Sequence, residues 1–331
     1  MKPGTKKQTR PSSKGLPCLS VIVLVDRQRR RGEACLQSIL AQSRVDDMEV
    51  LLLDFAPEGT PPLRASRHPA VRRLKLDYKT GYGQARGLAV RTARAPVVAF
   101  VEEHVRVRPG WAEAMLRSHE EGWAGVGPEV HNPTPGLGRS DLVFLTGFGE
   151  WVPPLAPGES RLIPGQNSAF KRGALLRYDR DLDRLLEADI FLQWRLRADG
   201  WRLYHDPEAR IEHSSEGNLR TLMRGYYLVM RHFAPLRAEI YQWSPARRAL
   251  RLLLVPAGPL VRTARLVWAL ARRRSPYLGK ALAGVWAVFG AHLGGAAGEA
   301  VGLLAGVPTH DRRFLAYEMN APRAGWFPES D

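Results

Sequence analysis

Two apolar runs in this chain end in acids. Val50-Leu51-Leu52-Leu53 closes on Asp54, and Pro96-Val97-Val98-Ala99-Phe100-Val101 closes on Glu102-Glu103-His104. Buried parallel strands read as unbroken Val, Ile and Leu stretches, and ligands bind outside their carboxyl ends. Carboxylates just past two such strands therefore stand where a ligand sits. Arg86, Asp189 and His213 continue the series of polar positions. Such a series on an α/β framework points to an enzyme that handles a nucleotide.

The elements that position these residues follow from the pattern around them. Leu19 to Val25 (LSVIVLV) reads as a first buried strand, followed by a basic stretch from Asp26 to Arg31. Ala34, Leu36, Ile39 and Leu40 then recur at helical spacing. Glu49 to Asp54, Val71 to Leu76 and Val97 to Val101 read as three more strands. Gly81-Tyr82-Gly83 opens a helix from Gln84 to about Arg94. Strands alternating with helices at this interval imply βαβ units, hence an α/β fold with a mostly parallel central sheet flanked by helices. From Asn132 to Pro164, Gly and Pro with isolated aromatics predict irregular structure covering the site. Asp183 to Ala198 predicts a helix with Gly200 past its end. Arg202 to His205 predicts a short strand, and His213 a loop beyond it.

Composition narrows the classes. With 331 residues, 44% hydrophobic and 25% charged, the chain can bury a core and is not a disordered protein. A net charge of +16 attracts anions without choosing among nucleic acid, lipid headgroups and nucleotides. Cys18 and Cys35 have no metal-type spacing, and two cysteines suit a reduced cytosolic setting better than a disulfide scaffold. Residues 1–17 form a basic tail without the apolar centre of a signal peptide. No nucleic-acid partner is expected, because no helix-turn-helix, zinc or RNA-binding motif accompanies the charge. A dinucleotide enzyme is disfavoured too, since no GxGxxG follows the first strand.

After about Pro245 the composition shifts. Leu250 to Leu270 is apolar but broken by Pro256, Pro259, Arg262 and Arg265; Ala281 to Val307 is apolar and rich in Gly and Ala. The second run is long enough to span a bilayer, and its small residues allow close helix packing in lipid. Arg272-Arg273-Arg274 between the two would lie on the cytoplasmic side. A soluble helical subdomain is the other reading. The expected divisions are a basic tail (1–17), a catalytic domain (18–244), an apolar membrane-associated helical segment (245–310) and a C-terminal tail (311–331).

At this point the residues resemble the inverting family 2 glycosyltransferases of the GT-A fold, over about Leu19 to Ala234. The marks are SVIVLV, then CLQSILAQS before EVLLLD, GYGQARGLAVRTA before PVVAFVEEH, GQNSAFKRG, and EADIFLQWRLRADGWRL with IEH after it. Their order and spacing carry the likeness.

The resemblance implies transfer of a sugar from a nucleotide-diphosphate donor to a hydroxyl acceptor with inversion. The acceptor would be a glycan, a lipid-linked molecule or a precursor of surface polysaccharide. A divalent cation, Mn²⁺ or Mg²⁺, would neutralise the departing diphosphate. Asp54 matches an acid that hydrogen-bonds base or ribose, with Phe55 where a polar residue is usual. Arg86 matches an arginine near the base or phosphates, with Gly87 after it in place of Asn. Glu102-Glu103-His104 occupies the place of the DxD motif, with Glu102 and His104 as metal ligands, Glu103 beside the donor and His213 closing the site. Glutamate lengthens the arm by a methylene, and the imidazole suits Mn²⁺ or a borderline metal. Asp189 matches the catalytic aspartate that takes the acceptor's proton. Glu187 lies two residues earlier, and about 100° per residue along a helix start keeps both from facing the site. Gln166-Asn167 matches a segment lining the acceptor or sugar side. The expected setting is the cytoplasmic face of the cell membrane, against an anionic surface, or else the cytoplasm. A non-catalytic GT-A-like partner protein is the alternative that the altered acidic motif leaves open.

Overall fold

In the computed structural model, which describes residues 15–77, 79–134, 139–215, 218–306 and 312–321, nine strands join one sheet. They are β1 (Leu19–Val25), β2 (Met48–Asp54), β3 (Val71–Lys75), β4 (Val97–Glu102), β5 (Val105–Val107), β6 (Gly125–His131), β7 (Gly158–Ser160), β8 (Ala169–Lys171) and β9 (Leu203–His213). The order is β3-β2-β1-β4-β8-β6-β9-β5, with β7 also on β9. The basic tail expected over 1–17 falls almost wholly outside the described residues.

The pattern of burial explains the order. β1 and β2 are buried at every position, as unbroken apolar runs require of central strands. Along β1, Leu19, Val21, Val23 and Val25 face one core while Ile22 and Leu24 face another. Helices cover both faces, giving three layers. β3 alternates partly buried and exposed residues, as an edge does. β3, β2, β1 and β4 are parallel; from β8 onward the sheet is mixed, with β8 antiparallel to both β4 and β6.

Two features position the site. The chain moves outward from β1 to β2 and β3, then returns to the other side of β1 as β4. That reversal opens a crevice at the carboxyl ends of β1 and β4, between Asp26 and Glu102. Second, β5 runs antiparallel to β9 with Val105 opposite His213. This register sets His213 beside His104, and extends the expected short strand through residue 213.

Several expectations are corrected. The stretch from 132 to 164 contains a helix, Arg139–Phe148, and the short strand Gly158–Ser160; the helix forms because Val143, Phe144, Leu145 and Phe148 supply apolar side chains to the core, which Gly and Pro at its margins obscured. The helix expected over 183–198 is two, Leu182–Leu185 and Asp189–Ala198, separated where Ala188 turns extended. The expected C-terminal tail holds a helix, Arg312–Asn320, whose Phe314, Leu315 and Met319 are buried. The small residues of the second apolar run do make the close helix packing expected of them: a Cβ at Gly294, Gly298 or Gly302 would collide with the carbonyls of Met223, Tyr227 and Arg231 in the Leu219–Ile240 helix.

Candidate active site

β4 ends at Glu102, and a turn through Glu103 and His104 leads into β5. The register of β5 on β9 then closes a three-residue cluster. His104 Nε2 and His213 Nε2 are 3.1 Å apart, and His213 Nε2 is 3.1 Å from Glu102 Oε2. One ligand atom from each of Glu102, His104 and His213 lies within 4.8 Å of the other two.

The surroundings hold these donors in place. Asn167 donates from Nδ2 to Glu102 Oε2 at 2.7 Å and accepts the Glu102 backbone N–H at 3.1 Å. Glu103 Oε2 lies 3.3 Å from His104 Nδ1, with the Arg31 guanidinium 3.9 Å from the same carboxylate. A proton on Nδ1 directed at Glu103 leaves Nε2 as a lone-pair donor, the arrangement a metal-binding histidine needs. Phe148 packs its ring 3.9 Å from that of His213. One carboxylate and two imidazoles, braced from behind, fit a divalent cation such as Mn²⁺ better than Mg²⁺, which prefers oxygen ligands. Glu103 therefore supports His104 from behind. Asn167 braces Glu102, a role not foreseen from the sequence.

Asp189 begins its helix and lines the same cleft as the cluster. The approach of the 165–167 turn to this helix is close: a Cβ at Gly165 would collide with Asp189 Cβ and fall 2.7 Å from Gln193 Nε2. One turn along, Gln193 clamps the backbone of Ile163, accepting its N–H at 2.9 Å and donating to its carbonyl at 3.0 Å. The i, i+4 spacing of Asp189 and Gln193 was the available sequence signal. Glu187 points elsewhere, accepting the Gly83 N–H at 3.1 Å.

Arg86, expected beside the base or phosphates of a donor, is held by protein groups. It is buried beneath Asp189, with Nη2 2.5 Å from Asp189 Oδ1 and Nη1 donating to the Leu186 carbonyl at 3.1 Å. Its guanidinium stacks 4.0 Å from the Phe100 ring centre. A cation so enclosed needs a carboxylate nearby, and Asp189 supplies it. Burial pushes the Asp189 carboxyl up, Arg86 pulls it down, and the net direction is upward.

This pairing makes a prediction. Arg86→Met should move the acid limb of the kcat/KM profile to higher pH, because the group that holds Asp189 down is gone. It should also lower stability by about 3–5 kcal/mol, as removal of one partner from a buried pair does. In the variant Asp189 has a folded pKa above its unfolded one, so the deficit is smallest at acid pH. Because the wild-type carboxyl is itself raised, the deficit grows only as pH rises from the wild-type folded pKa through the variant's higher one. A pH–rate profile and melting curves check this; profiles superimposable on wild type would disconnect the two residues.

Asp54 sits at the end of β2 as expected, but its carboxylate is already engaged. Arg29 donates to both oxygens at 2.9 and 3.1 Å, Arg73 donates at 2.8 Å, and the Ala56 N–H at 3.0 Å. Burial pushes its pKa up, yet these donors outweigh it and hold the carboxyl below its usual range. Asp54, like Arg86 and Glu103, does not line the cleft shared by Glu102, His104, Asp189 and His213.

That cleft has a volume of about 420 Å³. Glu102, His104, His213 and Asp189 form its polar end, while Phe148, Leu222, Met230, Phe233 and Phe314 form an apolar wall. The geometry offers a cation site and a carboxylate of raised pKa on one cleft, with an apolar flank beside them.

Residues 20–175 match the model of glycosyl transferase family 2. Among solved structures, the chain is similar to a mannosyltransferase of Pyrobaculum calidifontis in complex with GDP-Man and Mn²⁺. The likeness has 18% identity, covers 88% of this chain and 90% of that one, and gives a TM-score of 0.53. A weaker likeness, at TM-score 0.43 and 16% identity, is to GalNAc-T7 with UDP, GalNAc and Mn²⁺, covering 61% of this chain and 44% of that one. No curated protein sequence matches the chain.

Proposed function

We propose that this chain, a GT-A glycosyltransferase carrying the family 2 domain in residues 20–175, transfers a sugar with inversion from a nucleotide-diphosphate donor to a hydroxyl of a lipid-linked acceptor. One observation carries the reading: Glu102, His104, His213 and Asp189, spread over more than a hundred residues, line a single cleft.

Asp189 is the general base. Its carboxylate takes the acceptor proton as the acceptor oxygen attacks the anomeric carbon from the face opposite the departing diphosphate. Arg86 fixes the orientation of that carboxylate and offsets part of the cost of its burial. Glu102, His104 and His213 would hold a divalent cation, and a cation there neutralises the leaving diphosphate as a Lewis acid. Asn167 and Glu103 orient two of those ligands. Asp54, with Arg29 and Arg73 around it, organises the loops beside the nucleoside.

The apolar cleft wall supports an acceptor carried on lipid, and the Arg-rich apolar C-terminal part supports work at the cytoplasmic face of a membrane. Residues 18–244 are taken as the catalytic domain and 245–310 as its membrane-associated part. Assembly of surface polysaccharide is the setting this combination suits.

A panel of UDP-, GDP- and dTDP-sugars tests the reading by calorimetry on the full-length protein with Mn²⁺ present. Micromolar binding of at least one donor is expected, with transfer to a polyprenyl-linked acceptor exceeding transfer to a soluble glycan. A folded protein that binds none of the donors would remove the proposal.

A further inference from the structure

Two stretches are long and apolar enough to cross a bilayer by length and composition, Pro245–Arg272 and Val285–Ala305. Their packing argues against a crossing. The first is not a uniform α-helix: Pro245–Leu254 and Gly258–Arg272 are joined through a 3₁₀ stretch at Val255–Ala257, with Pro256 and Pro259 at the junction and helical backbone throughout. The second has one face committed to protein, since Gly294, Gly298 and Gly302 bring it flush against the backbone of Leu219–Ile240. That partner helix carries Arg220, Arg224, Arg231 and Arg237, and its Leu222, Met230 and Phe233 line the catalytic cleft. Hydrocarbon would have to accept those arginines along with the apolar helix.

Glu299 ties the layer together. It is buried, and accepts from Arg251 at 2.7 Å and from Arg262 at 2.9 Å. Pulling Val285–Ala305 out to span a membrane would strand this carboxylate and both guanidiniums.

The outward faces have the opposite character. Leu253, Leu260, Trp268, Trp286, Leu293 and Leu304 are exposed, with Trp286 81% and Leu253 78% open to solvent. Trp286, Leu293 and Leu304 recur at helical spacing opposite the buried stripe of Val285–Ala305. Arg247, Arg265 and Arg272 are exposed among them. Residues 245–305 hold nine basic side chains against one acid, Glu299, which is already paired. Apolar residues with interfacial tryptophans and unneutralised arginines are what an in-plane membrane anchor presents.

We propose that these three helices form a one-sided anchor lying in the surface of an anionic bilayer, with no helix crossing it. This rests on the reading of the protein as a membrane-bound transferase and specifies how it is held. The anchor backs directly onto the Leu219–Ile240 helix, so the apolar wall of the cleft stands next to the lipid from which an acceptor would rise.

The test uses the full-length protein and vesicles of phosphatidylcholine with or without phosphatidylglycerol. Sedimentation should show binding to the anionic vesicles about tenfold or more stronger than to the neutral ones. Alkaline carbonate should release the protein without detergent. Leu253→Glu combined with Trp268→Glu and Leu304→Glu should reduce partition by about tenfold or more, with circular dichroism and donor hydrolysis unchanged. In a Cys18→Ser background, Gly279→Cys and Ala305→Cys, exposed positions near the two ends of Val285–Ala305 and outside its apolar stripe, should both react with an impermeant maleimide from the outside of sealed vesicles. Carbonate-resistant insertion, labelling of only one of the two cysteines, or a lipid-free dimer that covers this face would each overturn the anchor. Loss of donor hydrolysis with vesicle binding intact would instead count against the transferase reading alone.

Discussion

Asp189→Asn is expected to lower sugar transfer by about a hundredfold or more, the scale of a positioned general base, while donor affinity stays nearly unchanged. Asparagine keeps the size of the side chain and an oxygen for Arg86, but it cannot take the acceptor's proton. The raised pKa of Asp189 makes the wild-type carboxylate a stronger base than an exposed one, at the cost of an acid limb above the usual carboxylate range. Activity should therefore rise with pH through that limb, because only the ionised form accepts a proton. The substitution also leaves the Arg86 charge buried without its counter-ion, so melting should fall by an amount on the order of 3–5 kcal/mol. Rates are best compared well below the variant's melting temperature. A folded Asp189→Asn protein with wild-type turnover would take Asp189 out of the chemistry.

His104→Ala has the second largest expected effect. It removes one of three convergent donors, and the loss should exceed the roughly 10–100-fold typical of changing a residue behind a ligand. Mn²⁺ affinity, measured by titration on the protein alone, should fall by that much or more, and donor binding in Mn²⁺ should fall with it. Glu103→Gln should give a smaller drop, since it weakens only the support of His104 Nδ1. Full activity of the wild type after exhaustive chelation would reject the assignment of Glu102, His104 and His213 to a cation.

The two substitutions probe different parts of one cleft, so their effects need not add. Donor binding should separate them. In the proposed mechanism it depends on the cluster of Glu102, His104 and His213, whereas Asp189 would act on the acceptor. A glycine at position 165 is what lets both parts share the cleft, since any side chain there would push the 165–167 turn, with Asn167 on it, away from the helix that starts at Asp189.

Much of this was legible in the sequence, and for a local reason. The runs that became β1, β2 and β4 are apolar on both faces, which only a central parallel strand requires, and their carboxyl ends fix Asp54 and Glu102 at the crevice edge. The helix carrying Asp189 showed in its own periodicity. Partners did not show. His213 meets His104 across 109 residues because of the register of β5 on β9. Arg86 meets Asp189 because the helix bearing it is packed against the Leu182–Leu185 helix that precedes Asp189. The glycines of Val285–Ala305 suit lipid or protein equally until Leu219–Ile240 is seen against them. Side-chain type and spacing set what a residue can do, since they act over a few neighbouring bonds. Strand register and helix docking set what it meets, and these depend on the whole chain closing on itself.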